Sequence, residues 1–494
     1  MDSRFTPPLL ALILLLAMAV RVIHVNGQSF FVDEVAEILL AKKSPAQILR
    51  APDSAPPLFP LILKAWLTMW GTDAAARWLS VVCGVLSVGV VWAIGRRLVD
   101  DATGLAAAFA TAMLPMHVYY SQFVRAYSLM FLLVAAALWC LLRALASNRW
   151  RDWVAFVLLA VLGAYTHYYF AIFVATSVPI ACLLQRRWWI AAKPLAAYTA
   201  ISLASLPLLW FLQTDLQYQK ALREPRPLSL ATFGYTYFSF FSGYSLGPST
   251  TELQTMRPAQ AVRAAAPWLA AVGFVLLVLG YHGALKLHRH RLLPTAIVLI
   301  LLPVLLVFGL SYALKLNYNV RFVTWVMIPV AMWIGAGMTA GGRSWSARLA
   351  ILAFVILSAI AMYNRHALAR YQHEDLRSAA AYLRANASPD DTIYVLSDYL
   401  TIPVRYYLGD NWRVVELPAP HQMGRGVRQP QEAHDAIAAT VLRHPPGQVC
   451  WLIYSRPFHG DPEGHLLTVL LNHVTSKSHV AELAGVAIYR LDRP

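Results

Sequence analysis

Eleven apolar runs, most of them close to the length of a bilayer crossing, govern what this chain can fold into. They lie near residues 8–25, 76–95, 103–120, 127–146, 152–166, 168–185, 194–212, 264–284, 292–314, 322–341 and 346–363. A helix needs about 17 to 25 mostly apolar residues to cross a hydrocarbon core of ~30 Å. The stretch Trp153 to Leu184 is too long for one ordinary helix and short for two, and His167, within Tyr165-Thr166-His167-Tyr168-Tyr169, marks the break. With 58% hydrophobic and 13% charged residues over 494 positions and a mean hydropathy of +0.52, the chain reads as a polytopic, mainly α membrane protein. The 16 Trp and 23 Tyr suit interfacial belts. The first run lacks a small-residue cleavage site and is read as an uncleaved helix.

A formal charge of +16 suggests nucleic acid at first sight. The basic residues are instead scattered between the runs, with no basic stretch interleaved with aromatics. Cytoplasmic anchoring and attraction to anionic membrane lipids account for them better than nucleic acid does. The four cysteines show neither a disulfide framework nor zinc-ligand spacing.

Short loops carrying Arg96-Arg97, then Arg143, Arg149 and Arg151, then Arg186-Arg187 and Lys193, then Lys286, Arg289 and Arg291, then Arg343 and Arg348 fall on the cytoplasmic side by the positive-inside rule. Lys42, Lys43, Lys64 and Arg77, in or just after the first outer loop (26–75), are exceptions to that rule. The opposite face then collects four polar constellations. They are Asp33-Glu34 after the first run, the junction Tyr119 to Tyr127, the break at His167, and Asn317-Tyr318-Asn319-Val320-Arg321. Paired carboxylates at a membrane mouth are a functional-site hypothesis by default, although a solvated loop capping a helix would also use them. Four such clusters on one face favour a site.

Within the first outer loop, Val35, Ile38, Leu39 and Lys42 follow helical spacing, and a second amphipathic helix is predicted after Pro56-Pro57. Two interfacial helices would hold the carboxylates at membrane level. A second long outer loop, 213–262, contains the aromatic run Phe233 to Tyr244, read as interfacial anchoring or, more sharply, as a mobile lid over a lipid substrate. After Tyr363 the composition changes. Helices are predicted at 373–386, 399–407, 430–443 and 464–474, and strands at 392–396, 448–454, 479–483 and 486–491, an α/β soluble domain over 364–494 following a membrane domain over 1–363. No Gly-rich phosphate loop opens its first helix. Eleven crossings with the N-terminus inside put this domain on the outer face, in the periplasm of a bacterial inner membrane.

A reaction whose leaving group is a lipid phosphate needs a carboxylate to take the acceptor proton. It also needs cations on the phosphate, for which the planar fork of Arg is suited. Asp33 and Glu34 are the catalytic candidates, and Arg125 and Arg321 the clamps. Each Arg could equally be an interface anchor, and His167 an interfacial hydrogen-bonding residue.

The N-terminal two-thirds resembles the GT-C glycosyltransferases of the protein O-mannosyltransferase and lipid A aminoarabinose or galacturonic acid transferase type. The resemblance is carried by Phe31-Val32-Asp33-Glu34, Pro56-Pro57-Leu58, Ala76-Arg77-Trp78-Leu79-Ser80, Arg96-Arg97-Leu98, Tyr120-Ser121-Gln122 with Arg125 and Tyr127, and Thr166-His167-Tyr168, in that order. It implies transfer of a sugar from a polyprenyl-phosphate donor to a glycan, lipid or protein acceptor outside the membrane. Inversion at the anomeric carbon and Asp33 as base are implied with it. Gln122, Arg125, Tyr127, His167 and Arg321 would then bind the donor phosphate and sugar. The family includes metal-independent members, so a divalent metal is optional, and no metal cage is visible. Two positions depart from the pattern: Ala55 stands where relatives often have His or Lys, and Phe123 where many have Glu. The competing classes are a flippase or transporter of lipid-linked glycans, for which paired repeats and midplane ionisable groups are missing, and a structural subunit, which leaves the clustering unexplained.

Overall fold

The protein is described by a computed structural model over residues 6–51, 56–185, 192–213, 216, 228–342, 344–417, 441, 449–461, 463–472 and 476–492. Each of the eleven apolar runs is helical within these residues. The first is α1 (Thr6–Val22). The run at 103–120 is two helices, α6 (Asp101–Met113) and α7 (Pro115–Ser121), with Leu114 extended between them. Pro115 causes the break, because a residue before proline is pushed out of the helical region while proline itself is suited to the first position of a new helix. The chain does turn at His167, between α9 (Trp150–Ala164) and α10 (Phe170–Leu184). Among the described residues six helices are long and apolar enough to cross a membrane, α5 (Ala76–Leu98) and α8 (Tyr127–Ser147) among them. Large apolar side chains such as Leu12, Leu158, Leu277 and Leu305 face outward and exposed, as a lipid-facing surface requires. This is a multi-pass membrane protein.

Helices pack at backbone contact in the bundle. A Cβ added to Gly337 would lie 2.0 Å from the Leu279 carbonyl oxygen, so the helix Met327–Ala340 can meet Pro258–Arg289 only through glycine. A buried arginine, Arg21, ties α1 to the α6–α7 break through the Ser121 hydroxyl, the carbonyls of Ala17 and Ala112, and His117 Nδ1 at 2.6 Å. In a bilayer such a charge is tolerated only when its donors are taken up in this way.

The first outer loop contains the two predicted helices, α2 (Val32–Lys42) and α4 (Leu58–Trp70), and a third, α3 (Pro45–Arg50). The signal for α3 was Ser44-Pro45-Ala46-Gln47: Ser44 Oγ accepts from the Gln47 N–H, and Gln47 Oε1 accepts from the Ser44 N–H. Ala55, Arg186-Arg187, Arg343 and the helix expected at 430–443 lie outside the described residues. The aromatic run is helical and packs against the bundle. It forms the helix Leu230–Ser242, whose Phe238, Phe240 and Phe241 are buried, with Phe241 against Phe354 of the last long helix, Trp345–Ala367. Its aromatic density serves packing.

Among the described residues the tail contains a mixed five-stranded sheet in the order β2-β1-β3-β5-β4. The strands are β1 (Thr392–Val395), β2 (Arg413–Glu416), β3 (Val449–Ser455), β4 (Ser476–Leu483) and β5 (Val486–Asp492). The first three are mutually parallel, and β5 runs antiparallel to β3 and β4. Alternate residues serve the two faces. Ile393, Val395, Trp451, Ile453 and Ile488 pack with the helices Leu376–Asn386 and Thr401–Leu408; Tyr394, Cys450, Leu452 and Leu491 pack with His465–Asn472. The edge strand β2 went unpredicted because its apolar pair Val414-Val415 is flanked by the charged Arg413 and Glu416, too little for a strand signal.

Candidate active site

Helix α2 presents its carboxylates on two faces. Glu34, Ile38 and Ala41 recur at helical spacing and are buried. Asp33 and Glu37, four apart, share the other face. Glu34 lies in the first turn, where its Oε2 accepts the N–H of Phe31 and the helix dipole favours its charge.

Glu34 is also sealed. Its oxygens accept from Arg77 Nε at 2.8 Å, Arg77 Nη2 at 2.7 Å and the N–H of Val124 at 3.0 Å, and the residue is 0% exposed. The same guanidinium donates to the carbonyls of Val25, Gln28 and Ser29. Arg77 thus clasps the connector between α1 and α2 and fixes where α2 begins. It was an exception to the positive-inside rule on the sequence alone; its buried partner gives it a structural reason.

Asp33 is in a different situation. Its side chain remains 32% exposed, and its Oδ2 accepts from Arg321 Nη1 at 3.1 Å. Arg321 comes from the short 3-10 segment Val320–Val326, positioned by Asn319, whose side chain accepts the Arg321 N–H. One turn along α2, Glu37 Oε2 accepts from Arg125 Nη1 at 2.8 Å. Burial pushes the Glu37 carboxyl above its ordinary range, while Arg125 opposes this. Burial alone would lower the Arg125 guanidinium, but Glu37 and Asp33 raise it, so it stays a cation.

Aromatic rings form the wall. The Arg321 guanidinium lies 5.9 Å from the Tyr127 ring centroid, and Tyr127 is 4.8 Å from Tyr120 and 5.6 Å from His167. His167 is buried, and its Nδ1 accepts from the N–H of Tyr169. Burial, with Arg125 and Arg321 adding to it, lowers its pKa to about 3. It is therefore a neutral imidazole at physiological pH.

The structure brings together Asp33, Arg125, Tyr127, His167 and Arg321. Glu34 lies one position along from Asp33 but inside the core. Gln122 points elsewhere: its amide nitrogen donates to the carbonyls of Arg21 and Ile23, holding the end of α1. Phe123, where a Glu was expected from the resemblance, is buried, stacks on Tyr119 and accepts Ser80 Oγ through its carbonyl. Glu37 escaped sequence reasoning, although its spacing of four from Asp33 carried the signal. Among the described residues no group of three or more His, Cys, Asp or Glu is gathered so that it could hold a metal ion.

A family model described as dolichyl-phosphate-mannose-protein mannosyltransferase matches residues 54–211. The apo form of ArnT from Cupriavidus metallidurans superposes with a TM-score of 0.58 at 12% identity, over 97% of this chain and 97% of that one. The apo oligosaccharyltransferase of Archaeoglobus fulgidus gives 0.54 at 11% identity, over 92% of this chain and 70% of that one. The chain has the GT-C fold. AglB from Archaeoglobus fulgidus, solved with an inhibitory peptide and a dolichol-phosphate, gives 0.52 at 11% identity, over 98% of this chain and 74% of that one. No curated protein matches the sequence. The family-model match covers Arg77, Arg125, Tyr127 and His167, whereas Asp33 and Arg321 flank it on either side. The GT-C likeness to ArnT extends through the tail as well, because it spans nearly all of both chains.

Proposed function

We propose that the protein transfers a sugar from a polyprenyl-phosphate donor to an acceptor hydroxyl at the outer face of the membrane, with inversion and with Asp33 as base. The observation that carries this is the accessible Asp33 carboxylate set beside Arg321 and, one turn on, the Glu37–Arg125 pair. In the reaction, Asp33 takes the acceptor proton as the acceptor oxygen bonds to the anomeric carbon. The bond from that carbon to the phosphate oxygen breaks, and its electron pair leaves with the phosphate. Arg125 and Arg321 stabilise the charge that accumulates there, each charge-assisted contact being worth about 1.5–3 kcal/mol. Tyr127 and the neutral His167 line the donor side. Glu34, sealed against Arg77, positions Asp33 and takes no proton.

The support comes from three directions: the family-model description names a dolichyl-phosphate-sugar transferase, the fold neighbour AglB was solved with a lipid phosphate, and the basic short loops favour an outward site. Nucleotide sugars are made in the cytoplasm, so an outward site needs a lipid-linked donor. In this reading the membrane unit, to residue 363, carries Asp33, Arg125 and Arg321, and the α/β unit follows from 364. The deciding experiment is mass spectrometry of lipid-linked sugars and envelope glycans from cells with the protein, without it, and with Asp33→Asn. A modification present only with the wild-type chain is expected; identical profiles in all three would end the reading.

A further inference from the structure

The connector between α1 and α2, residues 23–31, is gripped from two sides. Arg77 holds it from the membrane bundle, as described. The tail holds it from above. Arg377 donates to the carbonyls of Asn26 and Gln28, at 3.1 and 2.7 Å. Ser29 Oγ donates to Asp375 at 2.6 Å and accepts the N–H of Arg377. The N–H of Phe30 donates to the Tyr407 hydroxyl at 2.7 Å. Tail contact then reaches Phe31, the residue that starts α2. The Phe31 ring has His373 at 4.9 Å and the Arg456 guanidinium at 4.8 Å from its centroid on the tail side, with Phe123 at 5.9 Å on the bundle side.

Arg456 is an unusual residue for a packing role. It follows β3 directly with a φ of 51°, a left-handed conformation that strains a residue with a Cβ. Its Nε donates to Glu374 in a mostly buried ion pair, with side-chain exposures of 19% and 11%. Buried pairs of this kind add little stability over apolar replacements, and strained backbone persists where the surrounding structure demands it. Both features converge on the ring two residues before Asp33.

We infer that the α/β tail is a working part of the transfer site, and that Arg456, held by Glu374, is a positioning residue that sets the pose of Phe31 and so of Asp33. This rests on Asp33 being the base. Arg456 touches no reacting atom. Its effect is to fix the start of α2 so that the Asp33 carboxylate keeps its place beside Arg321, and a misplacement of about 1 Å at a reacting group costs on the order of 100-fold in rate.

The test uses the full-length protein with Arg456→Ala, Arg456→Lys and Asp33→Asn. Hydrogen exchange is followed across residues 26–42 and, as a control, Tyr127–Ser147; binding of undecaprenyl phosphate and transfer are measured in parallel. For Arg456→Ala, faster exchange at 30–37 with an unchanged control helix is expected. Transfer should fall roughly tenfold or more in turnover while undecaprenyl phosphate binding stays within about twofold, and Arg456→Lys, which keeps the ion pair, should recover part of the loss. Wild-type exchange and wild-type transfer in Arg456→Ala would overturn the inference. Loss of undecaprenyl phosphate binding in step with transfer would also overturn it, since the effect would then be on the donor site or the fold. Should Arg456→Ala fail to accumulate, Tyr407→Phe removes the hydroxyl that accepts the Phe30 N–H and meets Arg377, and is read by the same criteria. If Asp33→Asn transfers normally, the base assignment fails by itself, and the exchange data still decide whether the tail governs α2.

Discussion

At the scale of single residues, two neighbouring carboxylates are separated by which side of α2 they occupy. Asp33→Asn is expected to abolish transfer while leaving thermal unfolding near wild type, because the side chain is part-exposed and its pair with Arg321 is screened. Glu34→Gln is expected to act on stability: it strands the buried Arg77 guanidinium, and breaking such a pair costs about 3–5 kcal/mol. Thermal unfolding of the two purified variants, alongside their turnover, checks the division; equal stability losses would dissolve it. Arg125→Ala is expected to lower transfer about tenfold or more through the lost contact to phosphate. If Arg125→Lys and Arg125→Ala both keep full rate and donor affinity, Arg125 serves only to anchor Glu37. The residues of this site that sequence could reveal were those with odd chemistry for their surroundings: Asp33, Arg125, His167 and Arg321. Which of two adjacent acids faces the cleft depends on the rotation of α2, and that is fixed by Arg77, forty-odd residues away. Arg21 and Glu37 were missed for the same reason, since their partners are distant in sequence.

At the scale of elements, the apolar runs and the tail's alternation were legible because each reports a local period. The α6–α7 break, the helix α3 and the burial of Phe238, Phe240 and Phe241 were not, although proline and a capping box stood in plain sight for the first two. Aromatic density does not distinguish a lid from a packed helix, because rings suit both. The turn between α9 and α10 makes a measurable difference to acid stability. His167 there has its pKa held near 3 by burial and by Arg125 and Arg321, against about 6.5 in an unfolded chain. Between those values the unfolded state binds a proton that the folded state refuses, so stability is complete above about pH 6.5 and is lost as pH falls toward 3, by up to about 1.4 kcal/mol per unit. His373 is also lowered by burial and adds to the slope. His167→Asn should flatten the fall in unfolding temperature between pH 7 and pH 5. An unchanged slope would mean that His167 reaches water in the folded protein.

At the scale of the whole molecule, the orientation in the membrane decides which chemistry the site can serve. By the positive-inside rule, basic short loops around Arg97, Arg149 and Arg289 are expected on the cytoplasmic face of the bundle. The helix α2, Arg321 and the α/β tail share the opposite face, and the contacts from Arg377, Asp375 and Tyr407 to the connector hold the tail on it. Cysteine probes at exposed positions test this in a Cys182→Ser background, the other native cysteines being buried. Asp410→Cys, in the tail, should react with an impermeant thiol reagent in intact spheroplasts, whereas His290→Cys, between two long helices on the basic face, should react only after permeabilisation. The opposite pattern would place Asp33 in the cytoplasm, where nucleotide sugars are at hand. A lipid-linked donor would then be unnecessary, and Arg125 and Arg321 would have to be explained by the phosphates of a soluble donor.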